Sequence, residues 1–288
     1  MKFKLYNEVK EFYKDTYDVL LKHEAQNIIP LGNIIIGYKG EDKTDWRDPK
    51  NWFMATIFDE SSLHITAIMT PPHLLTLYAT DNKINDEALD FLVSSLVDSN
   101  IYIPGVMSEK NLAEKFAQKY TDKKGLKFEI YKNQRIYELV EVNPKIPSVG
   151  NLRLANESDM SFFPYWAEAF NSDCFEMPII IKDDLESYHY HISQNRLYIL
   201  EDSGMPVSMA RIGRDLVETC VVNYVYTPPY LRGKGYASSC VAKISQIGLE
   251  RGFKKCVLYT DLSNPTSNSI YQKIGYVPIC DSSDIRFS

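Results

Sequence analysis

The sequence predicts an α/β (α+β) protein built from two tandem domains, and three observations carry that reading. The chain has 288 residues, about twice the roughly 150 residues of a typical domain. A breaker-rich connector, Val142-Asn-Pro-Lys-Ile-Pro-Ser-Val-Gly150, divides it near the middle. The strand and helix patterns on the two sides of that connector repeat in the same order. The expected domains are residues 1–145 and 150–288.

The connector is argued from its chemistry. Two prolines lack the N–H that regular structure needs, and asparagine and glycine favour turns. Before it, Gln134 to Val142 reads as a closing strand with Ile136, Leu139 and Val140 as apolar content. After it, Leu152-Arg-Leu154 opens a new one. In the first half Ala67-Ile-Met-Thr70-Pro71-Pro72 ends a strand. In the second, Tyr224-Val-Tyr-Thr227-Pro228-Pro229 does the same. Each is followed by an expected helix (Asp86 to Ser99; Gly235 to Glu250), a strand (Ile101 to Ile103; Lys255 to Tyr259) and a short helix (Lys110 to Tyr120; Pro265 to Ile274). Thr70 precedes Tyr120 by 50 positions and Thr227 precedes Tyr276 by 49, which suggests a duplication.

Composition excludes several classes. Hydrophobic residues make up 44% and charged residues 24%, enough apolar mass for a core and unlike a disordered chain. The formal charge of −6 argues against nucleic-acid binding, which needs a basic face, and suits a cationic or amine-bearing ligand. No apolar run of about 18 residues is present, so no membrane partner is expected. Met1 to Lys14 has no apolar signal core, and Cys174, Cys220, Cys240, Cys256 and Cys280 are widely spaced. The expectation is a cytoplasmic chain with reduced thiols. No CxxC or His-x-Cys cluster suggests a metal.

The chemistry concentrates in Val221 to Ser238. A β-rich run breaks at Pro228-Pro229, passes through Arg232-Gly233-Lys234-Gly235-Tyr236-Ala237, and enters a helical pattern carrying Val241, Ile244 and Ile247. A strand, a glycine turn and a helix start together make an anion site, because first-turn N–H groups lack internal partners and the helix dipole favours negative charge there. Gly233 and Gly235 let the backbone approach phosphate oxygens, and Arg232 and Lys234 add positive charge. The string is neither a P-loop nor a dinucleotide fingerprint.

That loop, set after Tyr226-Thr227-Pro228-Pro229, resembles the acetyl-CoA loop of the GNAT N-acetyltransferase superfamily. A second string agrees with it: Asn264, Ser267, Tyr271 and Gly275-Tyr276, beginning 32 positions after Arg232. The resemblance covers Leu152 to Phe287 and implies a mixed, mostly antiparallel sheet flanked by helices. The first half resembles a degenerate copy. After its Thr-Pro-Pro it reads His73-Leu-Leu-Thr-Leu-Tyr78, with neither glycine nor base, and no pyrophosphate site is expected there.

The resemblance also implies roles. The N–H groups from Gly233 through Lys234, Gly235, Tyr236 and Ala237 to Ser238 would cradle the CoA pyrophosphate, with Arg232 beside them. The backbone of Val225, Tyr226 and Thr227 would pair with the pantetheine arm where two strands splay, with an N–H near Thr227 polarising the thioester carbonyl. Tyr271 would protonate the leaving thiolate, as a neutral phenol can. Its other reading is a core tyrosine. Asn264 and Ser267 belong to the same motif, and Asn264 either touches pantetheine or caps the next helix. Glu218 is read as a general base if a bulge restores its register, or else as a strand-end surface acid. Glu176 is a further candidate on the acceptor side, His189 and His191 read as polar surface, and Cys240 as packing. Trp46, Trp52 and Phe53 form an aromatic stretch for a core or an acceptor wall. The implied activity is direct acetyl transfer from acetyl-CoA to a small-molecule or peptide amine. The alternative is an acyl-CoA sensor without turnover.

Overall fold

A computed structural model describes residues 1–40, 48–181 and 185–288. It divides into two compact units: residues 1–136 with 279–288, and residues 137–278. The division differs from the expected 145/150 boundary because two long strands, β6 (Phe128–Leu139) and β12 (Val277–Phe287), each contribute to both units.

The first unit begins with β1 (Lys2–Leu5), α1 (Val9–Leu21) and α2 (Ile28–Lys39), followed by β2 (Phe53–Phe58), β3 (Leu63–Met69) and β4 (Thr76–Ala79). These strands form an antiparallel sheet in the order β1-β2-β3-β4. Then come α3 (Asp86–Asp98), β5 (Gly105–Glu109) and α4 (Lys110–Lys124). The apolar face of α3 is Leu89, Leu92, Val93 and Leu96, at helical spacing, and α4 offers Leu112, Phe116 and Tyr120. Both faces join one core with Ile57, Ile65, Leu77 and Ile285, the last on β12 where it pairs with β5. Trp52 and Phe53 are buried, and Trp52 lies so close to Gly37 of α2 that a Cβ there would come within 2.7 Å of its ring. Both are core residues; Trp46 lies outside the described residues.

Two expectations for this unit need correction. The strand placed at Ile101 to Ile103 is instead β5 at Gly105–Glu109. The two Thr-Pro-Pro strings are not equivalent either. Thr70-Pro71-Pro72 turns β3 back into β4 as a hairpin, and only after β4 does the chain reach α3.

The second unit contains β7 (Asn151–Leu154), α5 (Phe163–Phe175), α6 (Glu186–Ser193), β8 (Leu197–Asp202), β9 (Met205–Asp215), β10 (Thr219–Tyr226), α7 (Tyr236–Glu250), β11 (Lys255–Asp261) and α8 (Pro265–Ile274). Strands β7 to β10 are antiparallel neighbours, and β11 joins β10 in parallel. Cys240, Val241 and Ile244 of α7 pack with Val222, Leu258 and Tyr271 in one core. Phe163, Trp166, Tyr188 and Tyr226 form a second on the α5 and α6 side. Asp159 ties the entry to α5 in place: it caps a short turn from Asn156 and accepts a two-pronged pair of bonds from Arg153, each 2.7 Å.

Candidate active site

The site begins where two parallel strands stop pairing. The register of β10 and β11 runs Thr219↔Lys255, Cys220↔Cys256 and Val221↔Val257, and goes no further, although β10 continues to Tyr226 and β11 to Asp261. On its other side β10 carries a bulge. Asn223 faces Arg211 and Tyr226 faces Met209, so one extra residue is fitted into β10. Tyr224 absorbs it with φ at +59°, a left-handed conformation that a bulky residue adopts only under tertiary constraint. The constraint is visible: the Tyr224 ring packs 4.6 Å from Phe170 and 5.8 Å from His191.

Beyond the bulge, the Tyr226 carbonyl accepts the Ser208 hydroxyl at 2.9 Å and the Thr227 carbonyl accepts Arg232 Nε at 2.9 Å. These contacts fix the strand end where Val225, Tyr226 and Thr227 lead into the prolines. Arg232 also pairs with Asp173 at the end of α5, at 2.6 Å, so its guanidinium turns back toward the strand end. The pair is about half exposed at both partners, the class of ion pair that is worth little and is readily exchanged.

Gly233 and Gly235 have φ of +78° and +83°, so the two turns that aim the chain into α7 require glycine. A Cβ at Gly233 would meet no atom within 4 Å, and one at Gly235 only Val149 at 3.8 Å. The ground before the helix is therefore open. Gly233, Lys234 and Gly235 are exposed, and no side chain caps the first turn of α7 at Tyr236, Ala237 and Ser238. Ser239, one position on, is buried and anchors the helix by donating its hydroxyl to the Val149 carbonyl at 2.6 Å. Tyr236 donates to Asp202 at 2.7 Å, fixing the same turn against β8.

Asn264 is the N-cap of α8, its side chain accepting the Ser267 N–H at 3.0 Å, with Pro265 in the first turn. The capping reading of Asn264 is thus what the structure contains. Tyr271 is buried beside Tyr137 and Tyr276, and burial pushes its phenol well above the ordinary tyrosine range, which keeps it a neutral proton donor. Cys174 of α5 and Ser267 lie close enough to influence that phenol. Tyr137 and Asn268 bond at 3.0 Å and hold α8 in register.

Glu218 is not brought to this place. It precedes the first residue of β10 and is ion-paired with Lys254. Nine residues of extended strand, about 30 Å, separate it from Thr227. Of the two register shifts between β9 and β10, the one near Glu218, between Cys220 and Val222, places its extra residue in β9, and the one in β10 lies toward the far end of the strand, so neither carries Glu218 along β10. Glu176 is the exposed left-handed cap that ends α5. His189 pairs with Glu157 at 2.8 Å on the surface, whereas His191 is drawn into the aromatic group around Tyr224. Cys240 is fully buried, and burial pushes its thiol up to about 12, which suits packing. Among the described residues no group of His, Cys, Asp and Glu is arranged to hold a metal ion.

Sequence reasoning missed Tyr224, Asp173 and Glu168. Glu168 is a buried carboxylate on α5, bonded to the Tyr188 hydroxyl at 2.6 Å. The legible signal was a single acid within the stretch Phe163-Pro-Tyr-Trp-Ala-Glu-Ala-Phe170. A lone acid does not show which way it points.

Residues 162–276 match the family model described as acetyltransferase (GNAT) family. Among solved structures, the chain is similar to a GNAT-family acetyltransferase from Colwellia psychrerythraea, at 11% identity and TM-score 0.56, covering 100% of this chain and 99% of that one. It is also similar to a GCN5-related N-acetyltransferase from Sphaerobacter thermophilus, at 11% identity and TM-score 0.60, covering 99% and 95%. A Drosophila protein aligns at 10% identity and TM-score 0.61, covering 97% and 94%. No curated protein matches the sequence. Residues 162–276 thus match the acetyltransferase (GNAT) family model, and the fold shared with these solved structures extends along the whole length of the chain.

Proposed function

We propose that the chain is an N-acetyltransferase that moves an acetyl group from acetyl-CoA to a primary amine, on a small molecule or a peptide, by direct attack in a ternary complex. The observation that carries this reading is the parting of β10 and β11 after Val221↔Val257, beside an uncapped, glycine-led helix start. A strand-like pantetheine arm fits the parting, and a pyrophosphate fits the open N–H groups of Tyr236 to Ser238. Lys234 and Arg232 supply positive charge, Arg232 by leaving its exposed pair with Asp173. The five cysteines are all free thiols, which suits a cytoplasmic setting.

In this reading the acceptor nitrogen, once deprotonated, forms a C–N bond to the thioester carbonyl carbon as the C–S bond breaks. Backbone N–H groups at the end of β10 stabilise the negative charge that develops on the carbonyl oxygen. Tyr271 gives its phenolic proton to the departing sulfur and recovers one from the solvent. One proton is released overall when the amine enters as ammonium. Glu218 has no part in this scheme, given its distance and its pairing with Lys254.

The test is thiol release from acetyl-CoA in the presence of a panel of amines, with mass detection of the acetylated product. Release that depends on the amine supports the assignment. Tight CoA binding without release from any amine overturns transfer and leaves a sensor of acyl-CoA.

A further inference from the structure

The acceptor side of the strand end contains one buried carboxylate that acetyl-CoA recognition does not use. Glu168 is 7% exposed. Its Oε1 accepts the Tyr188 hydroxyl at 2.6 Å, and its Oε2 accepts only a long 3.4 Å contact from Asn171 Nδ2. Both hydrogen-bond partners among the described residues are neutral. A carboxylate removed from water with only neutral hydrogen-bond partners is costly, and Oε2 retains capacity for a strong donor. Tyr188 on α6 is bonded to it, and the Tyr224 phenol at the bulge feels the charge of Glu168 together with that of Arg211 on β9, while His191 stacks on the Tyr224 ring.

Glu168 shares its helix with two residues that touch the site. The helix that bears it ends at Asp173, which holds Arg232 of the loop, and at Cys174, which lies near Tyr271. Six helical residues, about 9 Å, separate Glu168 from Cys174. Two positions on from Glu168 the helix adds aromatic surface: Phe170 lies 4.6 Å from Tyr224 and 6.2 Å from Phe175. Beyond Phe175 the chain leaves Met177, Ile179 and Ile180 exposed in succession.

We propose that Glu168 receives the ammonium of the acceptor and takes its proton, and that the acceptor is a primary amine on an aliphatic or aromatic body. This rests on the acetyl-transfer reading above. A buried ion pair is poorly solvated, so moving one proton from nitrogen to Oε2 replaces it with a neutral amine beside a carboxylic acid. That amine carries the lone pair needed for attack, and the proton leaves to solvent after the product departs. One buried carboxylate among aromatic rings matches a single cationic head on an apolar body, whereas a polycation would leave further charges unpaired.

The experiment measures thiol release by the full-length protein with hexylamine, phenethylamine and spermidine, across pH. The expected wild-type order places both apolar amines ahead of spermidine by about tenfold in kcat/KM. Glu168→Gln keeps the shape but not the base. It should lower kcat/KM for hexylamine about 100-fold near neutral pH, leave CoA affinity unchanged, and recover about tenfold per pH unit as the free amine fraction grows. Tyr188→Phe, a milder variant, removes the hydrogen bond that orients the Glu168 carboxylate and should lower kcat/KM for hexylamine about tenfold while CoA affinity holds. A Glu168→Gln enzyme with wild-type kcat/KM and pH profile, a Tyr188→Phe enzyme with wild-type kcat/KM, or a wild-type preference for spermidine overturns the proposal while transfer itself stands. A wild-type protein that binds CoA and acetylates none of the amines overturns both readings.

Discussion

The starts of α3 and α7 hold the same place in the order of elements, and they differ in every property that matters to an anion. Asn85 caps α3, its side chain taking the Ala88 N–H at 3.1 Å, and Asp86 and Glu87 fill the first turn. Such a start is stable by itself and repels phosphate. α7 begins after Gly235 at φ +83°, with no cap and no acid in its first turn, and with Arg232 and Lys234 just ahead. The strands behave in parallel fashion. In the first unit Leu75 bridges to Val106, and two residues on, the Leu77 N–H is taken by the Ser108 hydroxyl at 2.7 Å, so that backbone donor is already satisfied by a side chain. In the second unit the paired register simply stops. One fold used twice can therefore leave a helix start open to an anion in one copy and cap it with acidic residues in the other.

The comparison can be broken most directly at Gly235. Gly235→Glu gives α7 an acidic, strained start and should weaken CoA binding by about 100-fold or more, read by calorimetry. Tyr271→Phe sharpens the contrast between binding and chemistry: kcat should fall about 100-fold while CoA affinity holds. The raised pKa of Tyr271 fixes the sign of the pH effect. Its acid form persists above the range of an ordinary phenol, so kcat should show no alkaline decline from Tyr271 until beyond about pH 10, in rate profiles at saturating substrates. Arg232→Ala should cost about tenfold in CoA affinity, and Asp173→Asn, which releases Arg232, should gain about twofold. Glu218→Gln should change turnover less than about twofold, because it lies at the opposite end of β10 from Thr227 and pairs there with exposed Lys254.

The second unit was the more legible in sequence. Gly233 and Gly235 announced a turn that only glycine makes easily, and Asn264-Pro265 announced a helix start; α8 runs over Pro265–Ile274 as expected. The strand expected at Lys255 to Tyr259 from the repeated order of elements runs over Lys255–Asp261. What was not legible depends on pairing. Thr70-Pro71-Pro72 looks like Thr227-Pro228-Pro229 as a string, but whether a proline turn leads to a hairpin or a helix is decided by the strand that pairs after it, here β4 against β3. Tyr224 carries no glycine-like signal for its positive φ, since the bulge is imposed by β9 and by the packing of Phe170 and His191. The direction of Arg232 toward Asp173, and of Glu168 toward Tyr188, joins residues 59 and 20 positions apart, which no local pattern encodes.

The central claim is that the open start of α7 binds a nucleotide diphosphate. Parallel calorimetric titrations with coenzyme A and with pantetheine, which shares the arm but lacks the phosphates, test it most directly. The account predicts clear binding of coenzyme A and a much weaker response to pantetheine, with Gly235→Glu reducing the first to the level of the second. Equal affinity for the two, or no heat with coenzyme A at millimolar concentration, would contradict it.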